Sequence, residues 1–79
     1  MKFTVYSKEG CPYCDKIKTV LELTNLDHVL YELDRDFTRE QFQDQFGQGS
    51  TFPQIILNDQ DRLGGCSDTI KFLQENNII

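Results

Sequence analysis

The sequence has no tryptophan, one histidine, one methionine and two prolines among its 79 residues. No apolar stretch approaches the roughly 18 residues that would span a membrane. The opening residues, MKFTVYSKEG, do not read as a secretory leader. The expected location is therefore cytoplasmic, a reducing compartment where structural disulfides are rare. No cluster of Lys and Arg relieves a net charge of −5, so nucleic acid is excluded as a partner. The acidity serves solubility instead. No repeat, low-complexity tract or linker divides the chain, so residues 1–79 are expected to form one domain. A domain of this size buries only about 60% of the surface its unfolded chain exposes, so its core is modest.

What the sequence does have is a cysteine pair, Cys11 and Cys14, within YSKEGCPYCDKIKTVL. The β-prone run KFTVY precedes it. Gly10 permits a sharp turn, and Pro12 suits the first turn of a helix, where its missing N–H costs nothing. Tyr13, Ile17, Val20, Leu21 and Thr24 then recur at helical spacing. The pair is thus expected where a strand turns into a helix, with Cys11 at the N-cap. Lys8, Lys16 and Lys18 gather around it, a local positive bias in an acidic chain.

Further on, Asn25 to Asp27 end the first helix, and Val29, Tyr31 and Leu33 alternate with Glu32 and Asp34 as a strand. Thr38 with Gln41 forms a capping box, and Phe37 with Phe42 a hydrophobic staple. Gly47 and Gly49 stop that helix. Pro53 heads the apolar strand Ile55–Leu57, and a turn at Asn58–Asp61 leads to a short return strand. Gly64 and Gly65 break the chain before a last helix capped by Cys66 or Ser67. The order is β-α-β-α-β-β-α. The first crossover makes the first two strands parallel, and the last two form an antiparallel hairpin. A four-stranded mixed sheet with helices on both faces around a single core is the expected α/β fold.

Three readings compete for the pair. A structural zinc site needs four ligands, and the chain offers only Cys11, Cys14, Cys66 and His28 with no second pair. A structural staple would close a very small loop, with little entropic gain. A reactive dithiol has a mechanism behind it. A thiolate at a helix N-terminus faces unpaired N–H groups and the positive end of the dipole. Neighbouring lysines add to that field, and both favour the nucleophilic anion. A C-x-x-C beside a strand–helix–strand unit in a cytosolic protein is the general pattern of a redox motif. Cys11 comes first, so it is expected to be the more exposed sulfur. Cys14 lies one turn on, within reach of a mixed disulfide at Cys11. Cys66 is expected to be small, buried and inert.

Three blocks of sequence carry a resemblance: Cys11-Pro12-Tyr13-Cys14, Thr51-Phe52-Pro53 and Gly64-Gly65-Cys66-Ser67-Asp68. In this order and spacing they resemble the dithiol glutaredoxins of the thioredoxin-like fold, and the likeness covers nearly the whole chain. The resemblance implies a glutathione-dependent oxidoreductase that reduces protein disulfides and glutathione mixed disulfides. It implies glutathione as cosubstrate, with no permanent cofactor or metal. By position, Cys11 resembles the nucleophile and Cys14 the resolving thiol. Lys8 resembles the lysine that favours the thiolate and the glycine carboxylate of glutathione. Tyr13 flanks the sulfur. Thr51 and Phe52 resemble the backbone pairing site for the cysteine of glutathione, and Pro53 the cis-proline. Gly65, Cys66, Ser67 and Asp68 resemble the helix start that holds the γ-glutamyl end. Phe52 stands where the family commonly has valine. No basic residue precedes Thr51, where members often carry one, and Arg39 or Gln41 is the candidate substitute. A monomer is expected, with ribonucleotide reductase a protein substrate by family analogy. Two alternatives remain. One is a thioredoxin-like reductase recycled by an enzyme, which turnover with glutathione alone would exclude. The other is a dimer bridging an iron–sulfur cluster, which a visible absorption band would reveal.

Overall fold

The computed structural model describes residues 1–79. Its elements are β1 (Lys2–Ser7), α1 (Pro12–Leu23), β2 (Asp27–Glu32), α2 (Arg39–Phe46), β3 (Gln54–Leu57), β4 (Asp61–Gly64) and α3 (Cys66–Glu75), the order expected. The strands form one mixed sheet in the spatial order β2-β1-β3-β4. β1 runs parallel to β2, with Val5 opposite Leu30, and antiparallel to β3, with Val5 opposite Ile55. β3 and β4 form the antiparallel hairpin, with an irregularity between Ile55 and Ile56.

Side chains alternate across a strand, so β1 sends Phe3 and Val5 to one face and Tyr6 to the other. The first face meets α1 and α3: Phe3, Val5, Ile17, Leu21, Ile55 and Leu73 are all fully buried there. The second face meets α2, where Phe37, Phe42 and Phe46 pack with Tyr6, Leu33, Phe52 and Ile56. The single core expected from the sequence is therefore two, because the sheet's own backbone separates the apolar groups on its faces.

Two further expectations change. In β2 it is Leu30, not Val29 or Tyr31, that packs on the larger core. Register decides this, since Leu30 lies opposite Val5. In α1 the buried stripe is Cys14, Ile17 and Leu21, while Tyr13 is 60% exposed. Thr24 is the C-cap, its hydroxyl donating to the Val20 carbonyl at 2.7 Å. The capping box of α2 forms as expected, with Gln41 N–H donating to Thr38 Oγ1 at 3.1 Å and Thr38 N–H to Gln41 Oε1 at 2.9 Å. The staple forms too, with the Phe37 and Phe42 rings 5.8 Å apart.

β2 is an edge strand, and an open edge invites pairing with another chain. Here the turn after it folds back. Asp36 Oδ2 accepts from Glu32 N–H at 2.9 Å and from Arg35 Nε at 2.9 Å, while Arg35 Nη2 donates to the Leu30 carbonyl at 3.4 Å. The hydrogen bond from Arg35, then that from the Glu32 N–H, holds the Asp36 carboxyl below its ordinary range. A carboxyl lowered in the folded state stabilises above its unfolded pKa, and that contribution is lost as pH falls through the folded value. Asp36→Ala should therefore lower Tm at neutral pH, and the gap from wild type should close in the acid range. A gap of constant size in thermal melts across pH would show that the charge plays no part.

Candidate active site

The site begins at the carboxyl end of β1. Gly10 takes φ +71°, the left-handed conformation a residue without Cβ adopts most cheaply, and turns the chain into α1. Cys11 is the N-cap, with extended backbone, and its Sγ accepts from Cys14 N–H at 3.2 Å. Pro12 follows as the first helical residue. The two cysteines are disulfide-bonded, with Cα atoms 5.2 Å apart. One turn of helix is what brings them to that distance.

In this oxidised state both cysteines are buried, Cys11 at 5% exposed and Cys14 at 3%. The asymmetry between the two lies in hydrogen bonding. Cys11 Sγ caps the helix, while Cys14 Sγ accepts no hydrogen bond.

Beside the pair lies an open groove of about 200 Å³. Tyr13 forms one wall, Thr51, Phe52 and Pro53 the second, and Gly65, Cys66, Ser67 and Asp68 the third. Three segments far apart in sequence thus converge, and they include every expected substrate-binding residue except Lys8. The Phe52–Pro53 peptide is cis, as expected. Lys8 does not line the groove but lies against one of its wall residues. Its Nζ lies 5.3 Å from the centre of the Phe52 ring.

The third wall differs from expectation in its cap. Neither Cys66 nor Ser67 is the N-cap of α3; Gly65 is, and Cys66 is the first helical residue. Glycine has no side chain to accept from the helix. Asp68 makes the return contact, its Oδ2 accepting from Gly65 N–H at 3.2 Å. Cys66 is a free thiol and buried. Burial pushes its pKa up, against an opposing pull from the Lys16 charge. That keeps it protonated and poorly nucleophilic.

Of the two candidates for the missing basic residue, Gln41 has its carbonyl oxygen committed to the α2 capping box, and Arg39 is exposed at the start of α2. Two supporting residues were missed, one under the groove wall and one at the end of α2. Gln54 is 5% exposed, and its Nε2 donates to the Thr51 carbonyl at 2.9 Å, fixing the second wall. Its Oε1 is buried without a partner. A glutamine heading an otherwise apolar strand was the available signal. Arg62, on β4, donates from Nη1 to the Phe46 carbonyl at 3.1 Å and sits 5.3 Å from the Phe46 ring. It supplies the cation that the last turn of α2 lacks. The pairing spans 16 residues, and no local pattern announces it.

His28 lies away from the pair and donates from Nδ1 to the Leu26 carbonyl at 2.7 Å. Nowhere do three His, Cys, Asp or Glu side chains converge as metal ligands would. No helix is long and apolar enough to cross a membrane.

A disulfide opening a helix at the end of a central strand, with a groove beside it, places the molecule among thiol–disulfide proteins of thioredoxin-like fold. The glutaredoxin family model matches residues 3–61, and the chain belongs to that family. Glutaredoxin-1 of Rhizophagus irregularis is 35% identical over 69 residues, covering 84% of this chain and 67% of the relative. Glutaredoxin 3 of Escherichia coli K12 is 30% identical over 64 residues, covering 81% and 76%. Among solved structures, Glutaredoxin 1 from Francisella tularensis, complexed with cacodylate, superposes with a TM-score of 0.77 at 28% identity, covering 98% of this chain and 95% of that one. The activity is glutathione-dependent thiol–disulfide exchange, with Cys11 and Cys14 as the redox-active pair.

Proposed function

We propose that Cys11 is the attacking sulfur, Cys14 the resolving sulfur, and the adjoining groove the seat of glutathione. The convergence of Tyr13, the Thr51–Pro53 segment and the start of α3 beside the disulfide carries this reading. Backbone at Thr51 and Phe52 pairs with the cysteine of glutathione, a short form of strand addition. The N–H groups at the start of α3 suit the γ-glutamyl carboxylate. Asp68 suits its ammonium, and Lys8 suits the glycine carboxylate at the other end.

The exchange balances without any further oxidant. The Cys11 thiolate attacks the glutathione sulfur of a mixed disulfide. That S–S bond breaks, the protein thiolate leaves and takes a proton from water, and a Cys11–glutathione disulfide forms. A second glutathione thiolate then attacks it, releasing oxidised glutathione and the Cys11 thiolate. With a protein disulfide, Cys11 forms a mixed disulfide with the substrate. Cys14 attacks at Cys11, frees the reduced protein, and leaves the Cys11–Cys14 bond that two glutathiones reduce. Residues 1–79 act as one catalytic domain and as a monomer in the cytoplasm. Protein disulfides are the substrates, ribonucleotide reductase among them by family resemblance.

Mass spectrometry after exposure of the Cys14→Ser variant to oxidised glutathione tests the assignment. One glutathione on Cys11 is expected. An adduct on Cys66 with Cys11 unmodified would overturn it.

A further inference from the structure

Phe52 lines the groove, and its ring is held by its neighbours. The ring stacks on Phe42, with ring centres 4.1 Å apart and planes 12° from parallel, and Phe37 lies beside both, 6.2 Å from Phe52 and 22° from parallel to it. One ring face is thereby covered, and the Lys8 ammonium lies over the ring at 5.3 Å from its centre. The opposite face is the one left to receive it. An aromatic face attracts a cation at this distance through its quadrupole.

We infer that Phe52 is a positioning residue: its ring is a fixed seat that holds the Lys8 ammonium beside the groove wall that Phe52 forms. The inference rests on the proposed role of Lys8 at the glycine carboxylate of glutathione. Lys8 is exposed, on a flexible stem of four methylenes, and follows the last residue of β1. Free in solvent, such a side chain samples many directions. The Phe52 ring cannot turn away without opening the packing under α2, because Phe42 and Phe37 stack with it. The same residue carries its backbone into the groove wall ahead of Pro53. One residue thus fixes both the peptide-pairing edge and the cation beside it. The seat holds the ammonium before substrate arrives, so less freedom is lost on binding. An aliphatic side chain at position 52 would fill the space but offer no quadrupole.

Steady-state kinetics of glutathione removal from a glutathionylated cysteine peptide test this. Phe52→Leu should raise the peptide KM about two- to five-fold, the range for an exposed cation–π contact, with kcat little changed. Phe52→Tyr, which keeps the ring, should restore the wild-type KM. Lys8→Met should raise KM alone, and Lys8→Met combined with Phe52→Leu should be no worse than Lys8→Met. In the wild-type protein, which needs no variant to fold, the Lys8 ε-methylene protons should resonate upfield of those of Lys16, Lys18 and Lys71 under the Phe52 ring current. Fully additive effects, or no upfield shift, would overturn the seat and leave the role of Lys8 standing. A KM unchanged by Lys8→Met would remove that role, and the seat with it.

Discussion

Cys11→Ser should abolish exchange with every disulfide, whereas Cys14→Ser should lose most reduction of protein disulfides and keep removal of glutathione from mixed disulfides. The difference follows from geometry. Cys11 is the N-cap, where the unpaired N–H groups of α1 and the helix dipole favour its thiolate. Serine puts a hydroxyl there that remains protonated and nearly inert at neutral pH. Cys14 lies within the helix, its sulfur without a hydrogen-bond donor, and its place is to attack what has formed on Cys11. With Cα atoms 5.2 Å apart, that attack is intramolecular. Well-oriented intramolecular reactions reach effective molarities of about 10⁵ M or more, so no dissolved thiol competes for a bulky mixed disulfide. A glutathione adduct is different, because its groove can admit the attack of a second glutathione. Parallel assays with a protein disulfide and a glutathionylated peptide separate the two requirements. Alkylation of the reduced protein below neutral pH, read by peptide mapping, should label Cys11 ahead of Cys14 and Cys66. Labelling of Cys14 first, or activity in Cys11→Ser, would reverse the assigned roles.

Much of this arrangement could be read from local sequence because its causes are local. Gly10, Cys11 and Pro12 specify a turn, an N-cap and a first helical turn within three positions. Thr38 and Gln41 cap α2 across one turn. What could not be read depends on register and on contacts across the sheet. Leu30 rather than Tyr31 faces the larger core because β2 pairs with β1 in one register, and a shift of one residue would reverse it. The division into two cores follows from which face each helix covers, which no single segment states. Arg62 reaches the end of α2 only because β4 is brought beside it. At the site itself the three sequence blocks pointed to the wall residues by resemblance. The proposed seat beneath Lys8 required the stacking of Phe52, in the loop before β3, on Phe42 of α2.

Gly64→Ala should lower both stability and glutathione affinity, although a single methyl group is added. Gly64 ends β4 with φ at +107°, a conformation that residues with a Cβ adopt at a cost of about 1–3 kcal/mol. Its Cβ would also stand 2.5 Å from Asp68 Oδ2, 3.1 Å from its Cγ and 3.2 Å from its Cβ. Asp68 is short, and all three contacts lie on it, so the whole side chain must move. Moving it removes the acceptor for Gly65 N–H. Loss of a helix cap of this kind costs about 1 kcal/mol. Together these are a large share of the about 5–15 kcal/mol that keeps a small domain folded. Tm should fall by about 10 °C or more. The glutathione KM should rise as well, because Asp68 is proposed to hold the γ-glutamyl ammonium. Gly49→Ala is the control. Its φ is +80°, and nothing lies within 4 Å of the added Cβ, so only the backbone cost applies and KM should stay unchanged. Combining Gly64→Ala with Asp68→Ala removes the two closest contacts, at Oδ2 and Cγ, and leaves only the 3.2 Å approach to Cβ. The Tm of that double variant should therefore exceed the value obtained by adding the two single losses. A Gly64→Ala protein no less stable than Gly49→Ala, with an unchanged KM, would show that Asp68 yields without consequence and that the start of α3 is not a fixed wall of the groove.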